Sequence, residues 1–122
     1  MRVELSKTFR FEAAHRLPMV PMDHKCFRLH GHSFVVDVTL AGEVDERMGW
    51  LLDFADIAAV VEPILLGELD HRTLNDVKGL ENPTSERLCR WLWGRLAPAL
   101  PGLGAITVHE TCAARCTYRG AS

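Results

Sequence analysis

The sequence predicts an α+β fold in which two amphipathic helices pack on one face of an antiparallel four-stranded sheet. Two long N-terminal segments alternate apolar and polar residues with a period of two, which is typical of half-buried strands. Two central segments repeat their apolar residues at helical spacing, and two short strand patterns follow them. Because the strands and helices are grouped along the chain, both helices can cover the same face of one sheet.

The two N-terminal strands are predicted over residues 2–13 and about 31–42. The apolar residues of the first strand have odd numbers: Val3, Leu5, Phe9, Phe11 and Ala13. Those of the second strand have even numbers: Phe34, Val36, Val38 and Leu40. Between the strands, residues 16–29 contain prolines and show no periodicity, which predicts a loop. Residues 43–50 are predicted to form a polar turn or a short extension of the hairpin.

Asp53 and Asp56 resemble a capping pair at the start of the first helix, and the apolar repeat continues to about Gly67. Pro63 lies inside this repeat and predicts a kink or an irregular second half, since proline removes a backbone donor. The polar residues 69–76 are predicted to form a loop.

The second helix is predicted to begin after Asn82, which would act as its cap, with Pro83 in the first turn and Glu86 near the positive end. Its buried stripe is predicted to contain Leu88, Trp91, Leu92 and Leu96.

A third strand is predicted after the turn at residues 101–102, and its alternation places Glu110 on the apolar face. A short fourth strand is predicted over residues 117–119. Such a small sheet would leave open edges, and association of subunits into a barrel would close them.

At 122 residues, the chain is predicted to form one domain over residues 1–122. Its formal net charge of −2 gives no reason to expect nucleic acid or an anionic membrane as a partner. No apolar run approaches the ~20 residues of a membrane span, and the N-terminus lacks the apolar core of a signal peptide. We therefore expect a cytoplasmic protein with reduced cysteines, in which Cys89 packs as a small hydrophobic residue.

Three histidines are candidates for one metal site. His30 and His32 are separated by one residue on a strand and therefore point to the same side. His15 has the same odd numbering as the apolar residues of the first strand. If the strands pair, the three imidazoles converge on the interior face. Catalytic zinc usually has three protein ligands and one open position, so the set predicts an open metal site. The alternative is that the histidines are separate hydrogen-bonded residues or a surface pair.

Cys26 is the strongest candidate for a general base or nucleophile. It lies in the predicted loop among His24, Lys25 and Arg28, whose positive charge would favour the thiolate. The alternative is a buried, inert thiol.

Two further positions could carry chemistry. Asp70 followed by His71 could supply a carboxylate-oriented imidazole that works near neutral pH, or the pair could cap a helix end. Glu110, an acid on an apolar face, must be paired, protonated or waiting for a ligand. A ligand with two parallel N–H donors would suit it; the alternative is an arginine within the protein or across an interface.

These residues fall in segments that resemble one family, the pterin synthases that comprise 6-pyruvoyltetrahydropterin synthase and bacterial 6-carboxy-5,6,7,8-tetrahydropterin synthase. The matching segments cover nearly the whole chain: residues 11–17 (FEAAHRL), 26–34 (CFRLHGHSF), 69–76 (LDHRTLND), 81–86 (ENPTSE) and 110–120 (ETCAARCTYRG). Three residues between Cys26 and His30, and the cysteines at 112 and 116, favour the bacterial branch. Phe27 departs mildly from the pattern, since relatives often carry a smaller residue there.

The resemblance implies a role for each candidate. Zinc would bind His15, His30 and His32. The remaining implied roles are a proton-abstracting Cys26, assistance by Asp70 and His71, a pterin-anchoring Glu110, and a pterin contact at Thr84.

The resemblance also implies an assembly and a reaction. The expected architecture is the tunnelling fold, in which subunits join into a barrel trimer, two trimers stack, and active sites lie at subunit boundaries. The expected activity is a zinc-dependent lyase that converts 7,8-dihydroneopterin triphosphate to 6-carboxy-5,6,7,8-tetrahydropterin, acetaldehyde and triphosphate in queuosine biosynthesis. A pyruvoyl-forming synthase and a non-catalytic, zinc-stabilised pterin-binding module are the alternatives.

Overall fold

A computed structural model describes residues 1–120, so the last two residues of the predicted domain lie outside the described range. The five strands are β1 (Arg2–His15), β2 (His30–Glu43), β3 (Arg72–Thr73), β4 (Leu103–His109) and β5 (Arg115–Tyr118). The two α-helices are α1 (Phe54–Ile64) and α2 (Ser85–Leu96). The strands form one sheet in the order β3-β1-β2-β4-β5. The predicted α+β class is confirmed, with five strands in place of the predicted four.

The fifth strand lies in a segment that the sequence predicted to be a loop. Residues 69–76 contain β3, which pairs in parallel with the end of β1 through Arg72 opposite Ala13 and Thr73 opposite Ala14. A two-residue strand has no alternation that a sequence pattern could display, so this prediction was wrong. The pairing carries the chain after α1 back to the histidine end of β1.

The pairing of β1 with β2 positions the interior face of the sheet. Its antiparallel register sets Phe11 opposite Phe34 and His15 opposite His30. The two phenylalanine rings stack with their centroids 5.0 Å apart. As predicted, the odd residues of β1 and the even residues of β2 share the buried face, and both helices cover it. Strand β1 extends two residues further than predicted, and β2 extends one residue further at each end. His15 and His30 therefore belong to the sheet.

Helix α1 begins where the sequence suggested, but it ends at Ile64 rather than at about Gly67. Asp53 caps it by accepting a hydrogen bond from the backbone N–H of Ala55. Pro63 lies within the helix, and from Leu65 to Leu69 the chain continues as a π-helix, where the N–H of Asp70 donates to the carbonyl of Leu65. The predicted irregular second half is therefore confirmed. Such single π turns are rare and often lie at functional sites.

The cap of α2 differs from the prediction. Thr84, not Asn82, is the N-cap, because its hydroxyl accepts a hydrogen bond from the N–H of Arg87. The helix therefore begins at Ser85. The buried residues of α2 are Leu88, Cys89, Leu92 and Leu96. Cys89 packs in the core as expected, whereas Trp91 is half-buried and donates its indole N–H to the carbonyl of Lys78.

The opposite face of the sheet is polar and joined by side-chain hydrogen bonds. The hydroxyl of Thr8 donates to Asp37, whose other carboxylate oxygen lies 2.7 Å from Nε2 of His109. These contacts link β1, β2 and β4 across that face. No helix in the described part of the chain is long and apolar enough to cross a membrane.

Two adjacent leucines in the π-helical turn provide a test of the core. Leu65 is 1% exposed and Leu66 is 57% exposed. We expect Leu65→Ala to lower the free energy of unfolding by about 2–5 kcal/mol, because it removes buried methyl groups and leaves a cavity. Leu66→Ala should change it by less than about 0.5 kcal/mol. Urea unfolding followed by circular dichroism measures both, and equal effects would contradict the assigned packing.

Candidate active site

Three imidazoles converge where β1 and β2 meet at one end of the sheet. His15 is buried, His30 and His32 are half-buried, and their potential ligand atoms all lie within 4.8 Å of one another. Nε2 of His15 lies 3.3 Å from Nε2 of His32. The strand register predicted this convergence, and the structure brings all three rings together.

Each of the three rings is oriented by a backbone carbonyl. Nδ1 of His15 lies 3.0 Å from the carbonyl oxygen of Pro83. Nδ1 of His30 lies 2.8 Å from that of Arg28, and Nδ1 of His32 lies 2.9 Å from that of Ser33. A carbonyl only accepts hydrogen bonds, so each Nδ1 carries a proton, and in the neutral form of the ring each Nε2 presents a lone pair. This is the usual arrangement around metal-binding histidines.

The separation between two of the three histidines matches that of ligands on a tetrahedral metal ion. Two nitrogen ligands at about 2.0–2.1 Å from one zinc ion, with a tetrahedral angle between them, lie about 3.3–3.4 Å apart. The observed separation between His15 and His32 is 3.3 Å. Without a cation, two facing lone pairs at this distance repel one another. Three neutral imidazoles also form a donor set that suits zinc and leaves one position open.

The surroundings of His15 keep its ring neutral. Burial lowers the pKa of His15 below its ordinary value, the Pro83 carbonyl opposes this effect, and His30 and His32 lower the pKa further. The ring also lies edge-on to Phe34, with centroids 5.2 Å apart. A neutral ring is the form that can bind a metal.

Cys26 lies in the segment that connects β1 to β2. It occupies a one-turn 3-10 helix at Lys25–Phe27 and is half-buried. Its N–H donates to Nδ1 of His24, and its carbonyl accepts a hydrogen bond from the N–H of Leu17. The predicted loop therefore folds back on itself, so that Cys26 bonds to Leu17, two residues after His15, and lies four residues before His30.

Asp70 and His71 follow the π-helical turn. One carboxylate oxygen of Asp70 accepts a hydrogen bond from Nδ1 of His71 at 2.8 Å, and the other accepts one from the N–H of Glu12 at 2.8 Å. The Glu12 N–H and the His71 ring lower the pKa of Asp70. His71 has φ +58°, in the left-handed region, and its side chain is 79% exposed. The arrangement is a carboxylate-oriented imidazole whose Nε2 faces solvent.

A first cavity is shared by His71 and one of the three metal candidates, His32. It has a volume of about 450 Å³ and is lined by residues that include Glu12, His32, His71 and Arg72. The pairing of β3 with β1 brings the His71 segment to this place, which a sequence pattern could not indicate.

Glu110 is exposed, which corrects the prediction that it lies on the buried face of a strand. Strand β4 ends at His109, and the N–H of Glu110 donates to the carbonyl of Ala114 in the following turn. The hydroxyl of Ser85 donates to the Glu110 carboxylate. The partner of Glu110 within the chain is therefore a serine, rather than the arginine considered from the sequence. Sequence reasoning gave no sign of this contact, because the two residues are 25 positions apart.

A second cavity is shared by Glu110 and one of the three metal candidates, His15. It has a volume of about 510 Å³, and its lining includes His15, Thr84, Ser85, Glu110 and Cys116. The structure therefore brings Glu110 and Thr84 together with His15, and His71 together with His32. Cys26 is not among the described residues that line either cavity.

The comparisons with known proteins identify the family. Residues 4–121 match the family model described as 6-pyruvoyl tetrahydropterin synthase. The chain belongs to this family. As a member of the 6-pyruvoyl tetrahydropterin synthase family, it is an enzyme of the lyase class.

Relatives within and beyond the bacteria share most of their length with it. A 6-carboxy-5,6,7,8-tetrahydropterin synthase from Synechocystis is 42% identical over 117 residues, covering 92% of this chain and 89% of that protein. A dihydroneopterin monophosphate aldolase from Pyrococcus furiosus is 33% identical, covering 84% and 82%. The structure of 6-pyruvoyl tetrahydropterin synthase from Caenorhabditis elegans has a TM-score of 0.88 and 29% identity, covering 99% of this chain and 97% of that one.

The converging Nε2 atoms predict a spectroscopic signature. We expect metal-free protein to bind one Co²⁺ ion per chain and to show the visible absorption bands of tetrahedral cobalt. His30→Ala should reduce that absorption to background, because it removes one of three ligands. The matched control is His24→Ala, an exposed histidine outside the trio. Tetrahedral bands of undiminished intensity in His30→Ala would contradict the assigned ligands.

Proposed function

We propose that this protein is a zinc-dependent carbon–carbon lyase. Its substrates would be 7,8-dihydroneopterin triphosphate and one water molecule, and its products 6-carboxy-5,6,7,8-tetrahydropterin, acetaldehyde and triphosphate, in queuosine and deazapurine biosynthesis. The observation that carries the proposal is the convergence of three imidazoles, of which His32 lines one cavity and His15 lines the other. The match to the Synechocystis 6-carboxy-5,6,7,8-tetrahydropterin synthase favours this reaction within the family.

The metal would be held by His15, His30 and His32, whose proton-bearing Nδ1 atoms leave the Nε2 atoms free. Bound zinc would supply Lewis-acid stabilisation of the negative charge that develops when a carbon of the substrate side chain loses its proton. The buried face around His15 and Phe34 would limit the access of water, and this strengthens electrostatic interactions at the site.

Cys26 would take the proton from the substrate carbon. The thiolate is the form that accepts a proton. The fold supports this role because the Cys26 segment returns to the histidine end of β1 and is half-buried. Lys25 and Arg28 are exposed and could also meet the triphosphate group.

His71 would return or relay protons as triphosphate leaves. Asp70 holds Nδ1 of His71, so the opposite nitrogen is the one available for proton transfer. The Asp70 carboxylate is itself fixed by the N–H of Glu12, so it holds the ring in one orientation.

Glu110 would anchor the pterin. Its carboxylate can accept two parallel N–H bonds from the guanidine-like edge of a pterin ring, with Thr84 as a further contact. The hydroxyl of Ser85 already orients the carboxylate, and the shared cavity of about 510 Å³ is large enough for a bicyclic ligand.

We also propose that the chain forms a ring-shaped trimer, or a dimer of trimers, with active sites at subunit boundaries. Both outer edges of the sheet are open along most of their length: β3 pairs with β1 only at Ala13 and Ala14 among the described residues, and β5 lies at the other end. The unpaired backbone N–H and C=O groups of such an edge can form hydrogen bonds with a strand of another chain. His71, 79% exposed in the single chain, would then lie near a neighbouring copy.

The assembly predicts a native mass. We expect native mass spectrometry of the purified protein to show assemblies of three or six copies. A monomer should not persist at every protein concentration measured. A monomer at micromolar concentration that retains full activity would contradict the ring and the boundary sites.

Product identity tests the reaction. Zinc-loaded protein incubated with 7,8-dihydroneopterin triphosphate should release 6-carboxytetrahydropterin and acetaldehyde, identified by mass. A pyruvoyl product without acetaldehyde would instead assign the activity named for the Caenorhabditis elegans relative. Tight binding without turnover would indicate a pterin-binding module, a role that would require neither the Cys26 base nor the His71 relay.

The base assignment predicts a separation of roles within the same assay. Cys26→Ala should lower turnover by about 10²-fold or more, since a positioned base contributes about that factor, while zinc content stays at one ion per chain. Cys112→Ala, which removes an exposed thiol, is the matched control and should leave turnover unchanged. Wild-type turnover in Cys26→Ala would refute the assignment.

A further inference from the structure

Asn75 contacts the main chain immediately beyond His15. Its Oδ1 accepts a hydrogen bond from the N–H of Arg16 at 3.0 Å, and its Nδ2 donates to the carbonyl of Arg16 at 2.9 Å. Nδ2 also donates to the carbonyl of Glu81 at 3.3 Å. The amide is held at both ends, and reversing it would set N–H against N–H and oxygen against oxygen. Its orientation is therefore fixed by its partners.

These bonds continue the pairing of β1 past its last residue. Strand β3 pairs with Ala13 and Ala14, and β1 ends at His15. At the next position, Arg16, the side chain of Asn75 offers one donor and one acceptor, as a strand partner would. The backbone on the C-terminal side of His15 is therefore held in the direction of the strand.

The third bond reaches the segment that orients the His15 ring. Glu81 is two residues before Pro83, whose carbonyl accepts the Nδ1 proton of His15. One amide thus ties the backbone beside His15 to the loop that fixes its ring. Arg16 in addition places its guanidinium 4.9 Å from the ring centroid of Phe27, the neighbour of Cys26.

We propose that Asn75 is a positioning residue of the metal centre, which sets the distance between the His15 backbone and the Pro83 carbonyl and so aims Nε2 at the ion. The inference rests on the proposed zinc site. It concerns a residue that contacts neither metal nor substrate. Groups that orient metal ligands in this indirect way typically change metal affinity by about 10–100-fold.

Two variants test the inference through zinc affinity, measured by competition with a chromophoric chelator. Asn75→Ala removes all three hydrogen bonds. Asn75→Asp keeps the size of the side chain but loses both donor bonds and sets a carboxylate against two carbonyls. We expect each to bind zinc about 10–100-fold more weakly than wild type.

A control separates metal affinity from general stability. Trp91→Phe removes one side-chain hydrogen bond to a backbone carbonyl, that of Lys78, at a place outside the two cavities. It should lower the melting temperature of the metal-free protein while leaving zinc affinity within about twofold of wild type. Wild-type zinc affinity in both Asn75 variants would overturn the proposal, as would an equal loss of affinity in Trp91→Phe.

A metal-free readout distinguishes this inference from the proposed function. The Nδ1 proton of His15, bonded to Pro83 in the buried ring, should give a slowly exchanging signal in nitrogen-15 NMR spectra of the metal-free protein. That signal should exchange at least tenfold faster in Asn75→Asp and be unchanged in Trp91→Phe. A wild-type protein that binds no zinc would refute the zinc site, whereas unchanged His15 exchange in Asn75→Asp would refute the positioning role.

Discussion

The register between β1 and β2 is the constraint on which the candidate site depends. It sets His15 opposite His30 and Ala13 opposite His32, so three imidazoles share one small volume at the end of the sheet. Side chains alternate faces along a strand, and a slip of one residue would turn every side chain of one strand to the other face. Such a slip would also expose Phe11 or Phe34, which stack in the core. The packing of the core therefore enforces the geometry of the histidines.

Bringing together three basic rings, of which one is buried and two are half-buried, has a cost that the local structure reduces. Each Nδ1 is satisfied by a backbone carbonyl, so one side of each ring meets the hydrogen-bonding requirement of a buried polar group. The opposite nitrogens remain lone pairs that face one another. This unfavourable arrangement is relieved when a cation lies between them. The fold thus holds three imidazoles where a metal could bind, and a metal that binds only the folded chain would stabilise it.

The sequence was most informative where a pattern repeats and least informative where distant segments meet. Alternation in β1 and β2 predicted the faces of Phe11 and Phe34 and the convergence of the histidines, and Pro63 predicted the irregular end of α1. Residues 69–76 were predicted to be a loop because β3 has two residues and is formed only through its contact with β1.

The remaining differences between the predicted and the observed structure lie at the ends of helices and strands. Asn82 and Thr84 are both good cap residues, and only the observed bond to Arg87 selects Thr84. Glu110 was assigned to a buried face because alternation says nothing about where a strand stops, and β4 stops one residue earlier. The partners that Ser85, Pro83 and Asn75 provide come from positions remote in sequence. Local pattern therefore located the candidate site residues, while their supporting contacts required the fold.

The left-handed backbone at His71 has a consequence for how this chain can diverge. A bulky residue in that conformation is strained by about 1 kcal/mol or more, and glycine or asparagine would relieve it. If selection acted on folding stability alone, it would therefore favour a small residue at position 71. A histidine at this position lowers the stability of the fold. Selection of more thermostable variants would therefore tend to replace His71 and so remove its imidazole.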